Sequence, residues 1–332
     1  MMKRAAAFFL LLALLLSFAA CAPMDRTLRG FSMGSSYSVT YCFDGDLDSE
    51  IAALFDSVES EYSVRVDGSL ISRINAAATH EAIALSPSEG ALLTRIFSIS
   101  DESQGAFDPA ILPLVRLWGF DPPYEMNGEV PPTDAAISVA RAISTLDHFA
   151  FSADGATLVK QSLGAALDLG AAMKGYAVEL VSSFMREQGC VEALVFLGGT
   201  IGAVGRSYEI GVTPPRESAE SFAFRFTLVA GKVCATSGDY ERFYEYNGKR
   251  YHHILDARTG YPASSGVISA TVVSSSGLLA DALATAVVVL GVEEGAALLR
   301  SFGAQGAIVT EDKRVHTVDL PVTVKDKSYV LA

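Results

Sequence analysis

Asp281 and Thr285 stand four positions apart in Ala280-Asp281-Ala282-Leu283-Ala284-Thr285-Ala286. A helix there puts a carboxylate and a hydroxyl on one face, about one turn apart. They are the strongly polar groups of an otherwise apolar run from Leu278 to Gly291, with small alanines between them. Oxygen donors so placed make a half-site for a hard cation such as Mg²⁺. The same pair also suits a cap, or a threonine bonding back to its own helix. Spacing alone does not separate the two.

Imidazoles come from Tyr251-His252-His253-Ile254-Leu255-Asp256-Ala257-Arg258-Thr259-Gly260-Tyr261-Pro262. Upstream lies Ala235-Thr236-Ser237-Gly238-Asp239-Tyr240, and the Asn247-Gly248 turn folds its hydroxyls back towards the histidines. Neighbours on a strand point to opposite faces, so at most one of His252 and His253 enters a given site. The density of His, Asp, Arg and Thr favours a site over a structural histidine. A third cluster, Leu167-Asp168-Leu169-Gly170-Ala171-Ala172-Met173-Lys174-Gly175-Tyr176, opens a helical stretch reaching about Glu187. There a carboxylate, a cation and free backbone groups can meet one ligand, phosphate included; an ordinary helix start with a solvated lysine explains it as well. The fourth, Gly105-Ala106-Phe107-Asp108-Pro109-Ala110, is turn-forming. Phe107 can stack on a planar ring, although an aromatic beside proline is more often core.

Positioning these groups takes several elements. Strands are predicted at Ser36 to Phe43, Ala193 to Leu197, Phe222 to Val229, Val267 to Ser274, Ala307 to Thr310 and Arg314 to Val318. Hairpins are predicted around Asp154-Gly155 and Asn247-Gly248, the latter joining Tyr240 to Tyr246 with Lys249 to Leu255. Helical spacing covers Asp48 to Tyr62, Ser88 to Ser98, Asp134 to Ser144 with Thr133 as N-cap, and about Leu278 to Leu290. Strands and helices do not alternate in regular βαβ units, so the class is α+β.

The chain has 332 residues, half of them apolar, and a formal net charge of −13. That composition excludes a disordered chain and argues against a broad nucleic-acid footprint. P-loop, GxGxxG, HExxH, GxSxG and EF-hand signatures are absent from it. Met1-Met2-Lys3-Arg4 precedes an uncharged run from Ala5 to Ala20 that is shorter than the ~20 residues of a spanning helix, so residues 1–20 read as a signal peptide. Its end, Phe18-Ala19-Ala20-Cys21, resembles a lipobox, which makes Cys21 a lipidation site and the protein an exported, lipid-anchored one. Residues 21–29 then form a polar tether ahead of one domain over 30–332. Cys42, Cys190 and Cys234 are left, an odd number in apolar surroundings, and read as small core residues.

Together these clusters resemble the FAD:protein FMN transferases, the ApbE-type flavin transferases. The resemblance runs from about Gly30 to Leu320 and adds Met33-Gly34-Ser35-Ser36-Tyr37-Ser38, Ser72-Arg73-Ile74-Asn75 and Leu197-Gly198-Gly199 to the stretches above. It implies a single compact domain with mixed or antiparallel sheets and packed helices. FAD contacts are implied at Met33, Ala106, Phe107, Asp108, Asp168, Lys174 and Leu255, and a Mg²⁺ site at Asp281, Thr285 and the Ala171 carbonyl. His253 is implied as the base. Leu255 and Ala257 depart conservatively from the family's pattern, and Val64 to Gly68 lacks its aromatic and Asp-Pro-Asp run, so no contact is assigned there. The implied activity is Mg²⁺-dependent transfer of FMN from FAD to a Thr or Ser hydroxyl, with AMP released. The implied acceptors are flavin-carrying subunits of membrane redox complexes, on the outer face of the cytoplasmic membrane. An FAD pyrophosphatase and a non-catalytic, lipid-anchored FAD-binding protein are the alternatives.

Overall fold

The computed structural model describes residues 24–121 and 130–332. The expected signal peptide and Cys21 lie outside them. A nine-stranded sheet runs through the centre, and its strands follow chain order from edge to edge. They are β1 (Met24–Ser32), β2 (Ser35–Phe43), β3 (Glu192–Leu197), β4 (Thr200–Val204), β5 (Val233–Gly238), β6 (Val267–Ser274), β7 (Gln305–Thr310), β8 (Arg314–Val318) and β9 (Val330–Leu331). Neighbours are antiparallel except β8 and β9, which are parallel.

The tether expected up to Arg29 is corrected by this sheet. From Met24 onward the segment is β1, paired with β2 from Met24 against Phe43 to Ser32 against Ser35. An edge strand is bonded on one side and wetted on its outer positions, so its polar sequence mimics a linker.

The helices are α1 (Asp48–Tyr62), α2 (Leu70–Ala76), α3 (Pro87–Glu102), α4 (Leu112–Leu117), α5 (Asp134–Ile143), α6 (Gly170–Glu187), α7 (Gly277–Leu290) and α8 (Val292–Ser301). Two of them, α6 and α7, pack on each other and on one face of the sheet. Helix α7 is apolar nearly all round, and such a helix must be buried. A three-stranded sheet of Tyr208–Val212, Phe224–Leu228 and Val322–Val324 covers the other face. There Ile210, Phe224 and Phe226 meet Cys234, Val273 and Val309. Every residue of β6 is therefore buried, as a strand covered on both faces requires. Cys190 and Cys234 are buried as expected, and Cys42 is half-buried.

Local signals explain most boundaries. Thr133 Oγ1 accepts from the Ala136 N–H and starts α5. Helix α3 begins earlier than expected because Ser86 and Glu89 form a capping box. Asn247 and Gly248 both take positive φ, 51° and 74°, which a two-residue hairpin turn of this kind needs. That hairpin is shorter than expected, Phe243–Tyr246 against Lys249–His252. Glu241 and Arg242 instead line the functional cavity, and Leu255 pairs separately with Pro262. A satellite core of Leu114, Trp118, Phe120, Ile137, Tyr244 and Leu255 backs the hairpin.

Candidate active site

The sequence brings four distant loops and two helices around one cavity of about 590 Å³. Met33, Ala106, Phe107, Asp108, Asp168, Ala171, Lys174, His253, Leu255, Asp281 and Thr285 all line it. Two clamps join the loops. The Asn75 side-chain amide accepts from the Leu167 N–H at 2.7 Å and donates to the Leu167 carbonyl at 2.9 Å. The Asp168 N–H donates to the Pro109 carbonyl at 2.7 Å, tying the Asp108 turn to the start of α6.

The cation half-site depends on how closely α6 and α7 cross. A Cβ on Gly175 would stand 2.0 Å from the Gly277 carbonyl oxygen, and one on Gly277 would stand 2.1 Å from that of Gly175. Glycine at both positions lets the backbones touch. Asp281, 4% exposed, then reaches across and accepts from the Gly175 N–H at 2.9 Å. In a regular helix that N–H belongs to the Ala171 carbonyl, so the carboxylate competes for Ala171's donor. Thr285 Oγ1 lies 3.2 Å from Ser237 Oγ. Ser237 thus gives the Thr285 hydroxyl a partner outside its own helix.

Burial raises the Asp281 carboxyl above the usual range, with the Lys174 cation and the Gly175 N–H pulling the other way. A buried carboxylate with one hydrogen-bond donor is costly unless another positive partner joins it. Carboxylate, hydroxyl and carbonyl are all hard oxygens, so this donor set fits Mg²⁺. No cluster of three His, Cys, Asp or Glu side chains able to hold a metal exists among the described residues. A cation here therefore relies on Thr285, Ala171 and a ligand's own oxygens besides Asp281.

The two histidines separate as strand alternation requires. His252 is buried and its Nε2 meets the Ala263 carbonyl at 2.9 Å. His253 lines the cavity, with Nδ1 3.3 Å from the Arg242 carbonyl. A carbonyl only accepts, so Nδ1 carries the proton and Nε2 keeps the lone pair. Burial, then the Arg242 cation, brings the His253 pKa down to about 3. The ring is therefore neutral at physiological pH, with its Nε2 lone pair unprotonated.

On the opposite wall, Met33 adopts φ 50°. Its N–H donates to Glu59 Oε2 at 2.9 Å, and the Ser32 hydroxyl donates to the same oxygen at 3.0 Å. Phe107 does not present a stacking face: it is 2% exposed and its ring belongs to the main core. Arg65, Lys174 and Arg242 line the cavity among the carboxylates of Glu59, Asp108, Asp121, Asp168, Glu241 and Asp281, and these three cations are the groups there suited to phosphates. Glu59, Arg65, Asp121, Glu241 and Arg242 were not singled out from the sequence. The last two directly follow Asp239-Tyr240, which was the available signal.

Asp108 yields a prediction about stability. Burial, aided by Asp147 and Asp101 and opposed by the Ala110 N–H, pushes its pKa up to about 6. Between 3.8 and about 6 the folded chain holds a proton that the unfolded chain has lost, so this group's contribution to stability falls as pH rises. Asp108→Asn should therefore stabilise the fold by about 3 kcal/mol at pH 8 and leave it nearly unchanged at about pH 3. Urea unfolding at both pH values measures it; an equal change at each would assign the effect to packing.

Residues 33–309 match the ApbE family. The chain is 33% identical over 301 residues to the FAD:protein FMN transferase of Vibrio cholerae, covering 86% of this chain and 88% of that one. To the FAD:protein FMN transferase of Treponema pallidum it is 35% identical over 311 residues, covering 85% and 83%. The solved flavin transferase ApbE from Vibrio cholerae superposes with a TM-score of 0.78 at 28% identity, over 92% of this chain and 98% of that one.

Proposed function

This chain belongs to the ApbE family, and from that we propose that it transfers the FMN moiety of FAD to a Thr or Ser hydroxyl of a partner protein, releasing AMP. The observation that carries the reading is the common cavity. A neutral imidazole, a buried oxygen half-site and three cations line the same walls, as in-line displacement at a pyrophosphate by a hydroxyl needs.

The residues divide the work. Arg65, Lys174 and Arg242 attract the pyrophosphate, while Met33, Ala106, Asp108, Asp168 and Leu255 shape the space around the rest of FAD, with Phe107 behind them. Mg²⁺ held by Asp281, Thr285 and the Ala171 carbonyl would neutralise charge on the phosphates. His253 Nε2 takes the acceptor hydroxyl's proton, and that oxygen bonds to the FMN phosphorus as the bond from phosphorus to the bridging oxygen breaks. The electron pair of the broken bond leaves on AMP. The Arg242 carbonyl, hydrogen-bonded to Nδ1, stabilises the imidazolium that forms.

The acceptor class we propose is the flavin-carrying subunits of membrane redox complexes. Residues 1–20 and Cys21 support export with a lipid anchor on the outer face of the cytoplasmic membrane, the periplasmic side in a diderm. No helix among the described residues is long and apolar enough to cross a membrane.

The test combines protein, FAD, MgCl₂ and a Thr-bearing acceptor peptide, with and without EDTA. An FMN adduct on the peptide with equal AMP supports transfer. AMP with free FMN and no adduct identifies a pyrophosphatase, and FAD bound without AMP release identifies a storage protein.

A further inference from the structure

The register between α6 and α7 is held by a residue that takes no part in the chemistry above. On α6, Ala171, Gly175 and Glu179 recur at every fourth position; on α7, Gly277, Asp281 and Thr285 do the same. Such series each form one stripe of a helix. The two stripes meet head to tail. Glu179 Oε2 accepts from the Gly277 N–H at 2.6 Å, from the Leu278 N–H at 3.3 Å and from the Ser276 hydroxyl at 3.0 Å. One turn back along α6, the Gly175 N–H reaches Asp281 at 2.9 Å. Ala171 and Thr285, the next positions of the two series, both line the cavity.

The close fit of Gly175 on Gly277 limits where the two helices can cross, and buried polar contacts then fix the register. The contact is glycine on glycine, and the rest of α7 is alanine, leucine and valine. Smooth apolar surfaces specify register weakly, and a single buried polar contact specifies it well. The Glu179 carboxylate also complements the positive end of the α7 dipole.

We propose that Glu179 is the positioning residue of the cation half-site. By capping α7 from α6 it fixes the register that lays Asp281 on the first turns of α6, beside the Ala171 carbonyl. This rests on the reading of Asp281, Thr285 and Ala171 as ligands. Helix α7 keeps a cap of its own without Glu179, because Ser276 Oγ accepts from the Leu279 N–H at 3.3 Å. Removing Glu179 therefore shifts the helix rather than melting it.

The test uses Mn²⁺, which prefers the same oxygen ligands as Mg²⁺, titrated into the FAD-loaded protein with free Mn²⁺ read by electron paramagnetic resonance. Glu179→Ala should weaken Mn²⁺ binding about tenfold, the scale on which supporting residues tune metal sites. FAD affinity in EDTA should not change. Glu179→Gln keeps one oxygen for the Gly277 N–H and should lose less; it carries the comparison if the alanine variant does not fold. Ser86→Ala removes the α3 cap, far along the chain from these helices, and controls for a general loss of stability. It should lower the melting temperature without moving Mn²⁺ affinity. A folded Glu179→Ala protein that binds Mn²⁺ as its parent does overturns the proposal, as does an equal weakening by Ser86→Ala. Failure of the parent itself to bind Mn²⁺ is a different result, and removes the half-site together with the inference.

Discussion

His253→Ala is expected to lower flavin transfer by about 10²–10⁴-fold, the usual weight of general base catalysis, while FAD still binds. The ring reaches the cavity from its hairpin end, its Nδ1 fixed on Arg242 and its edge against Phe120 at 6.4 Å between ring centres. Truncation removes the base and leaves Arg65, Lys174, Arg242 and the α6–α7 half-site in place. Burial and Arg242 hold the imidazole down to about 3 in the free protein. The profile of kcat/KM, which reports the free enzyme, should then show no acid limb near 6.5. Stability moves the same way. As pH falls below 6.5 the unfolded chain takes up a proton that the folded ring refuses until about 3. The parent therefore loses stability over that window, and His253→Ala should lose less. Initial rates with an acceptor peptide, FAD titrations and melting curves from pH 7 to 4 check the three parts. Full transfer by the variant would take the base role away from His253.

Asp281→Asn should reverse the signs of function and stability. Transfer should fall about 10³-fold or more, because several kcal/mol of charge neutralisation at the phosphates is lost with the cation. In EDTA the variant should nevertheless melt higher than its parent. Burial raises the Asp281 carboxyl, so at neutral pH its ionised form opposes folding unless a cation joins it. The amide oxygen can still accept from the Gly175 N–H, and it carries no charge to desolvate. Parent melting should rise on adding MgCl₂ and FAD together, and variant melting should not. A variant that Mg²⁺ still stabilises as much as the parent would exclude Asp281 as a ligand.

Periodicity made the positions of chemistry legible and left their backbone partners hidden. Asp281 and Thr285 stand out because polar side chains four apart are conspicuous in an apolar helix. The Gly175 N–H that receives Asp281 has no side chain to announce it, and the glycine crossing that delivers it exists only once both helices are packed. Alternation separated His252 from His253, but no local pattern shows that Arg242 supplies the carbonyl that fixes the tautomer. Phe107 takes the core role that is the commoner one for an aromatic beside proline. An aromatic beside Asp108-Pro109 looks available to a ring, while its burial depends on the distant main core. Strand β1 escaped because an edge strand carries linker-like polarity. Glu59 and Arg65, near the end of α1, look like solvated charges until the Met33 turn folds over them.

The most direct measurement is anomalous diffraction from crystals grown with FAD and Mn²⁺. The expected result is a manganese peak between the Asp281 carboxylate, the Thr285 hydroxyl and the Ala171 carbonyl, touching the FAD pyrophosphate, with His253 alongside. FAD in the cavity with manganese bound elsewhere, or with no manganese at those three oxygens, would contradict the account.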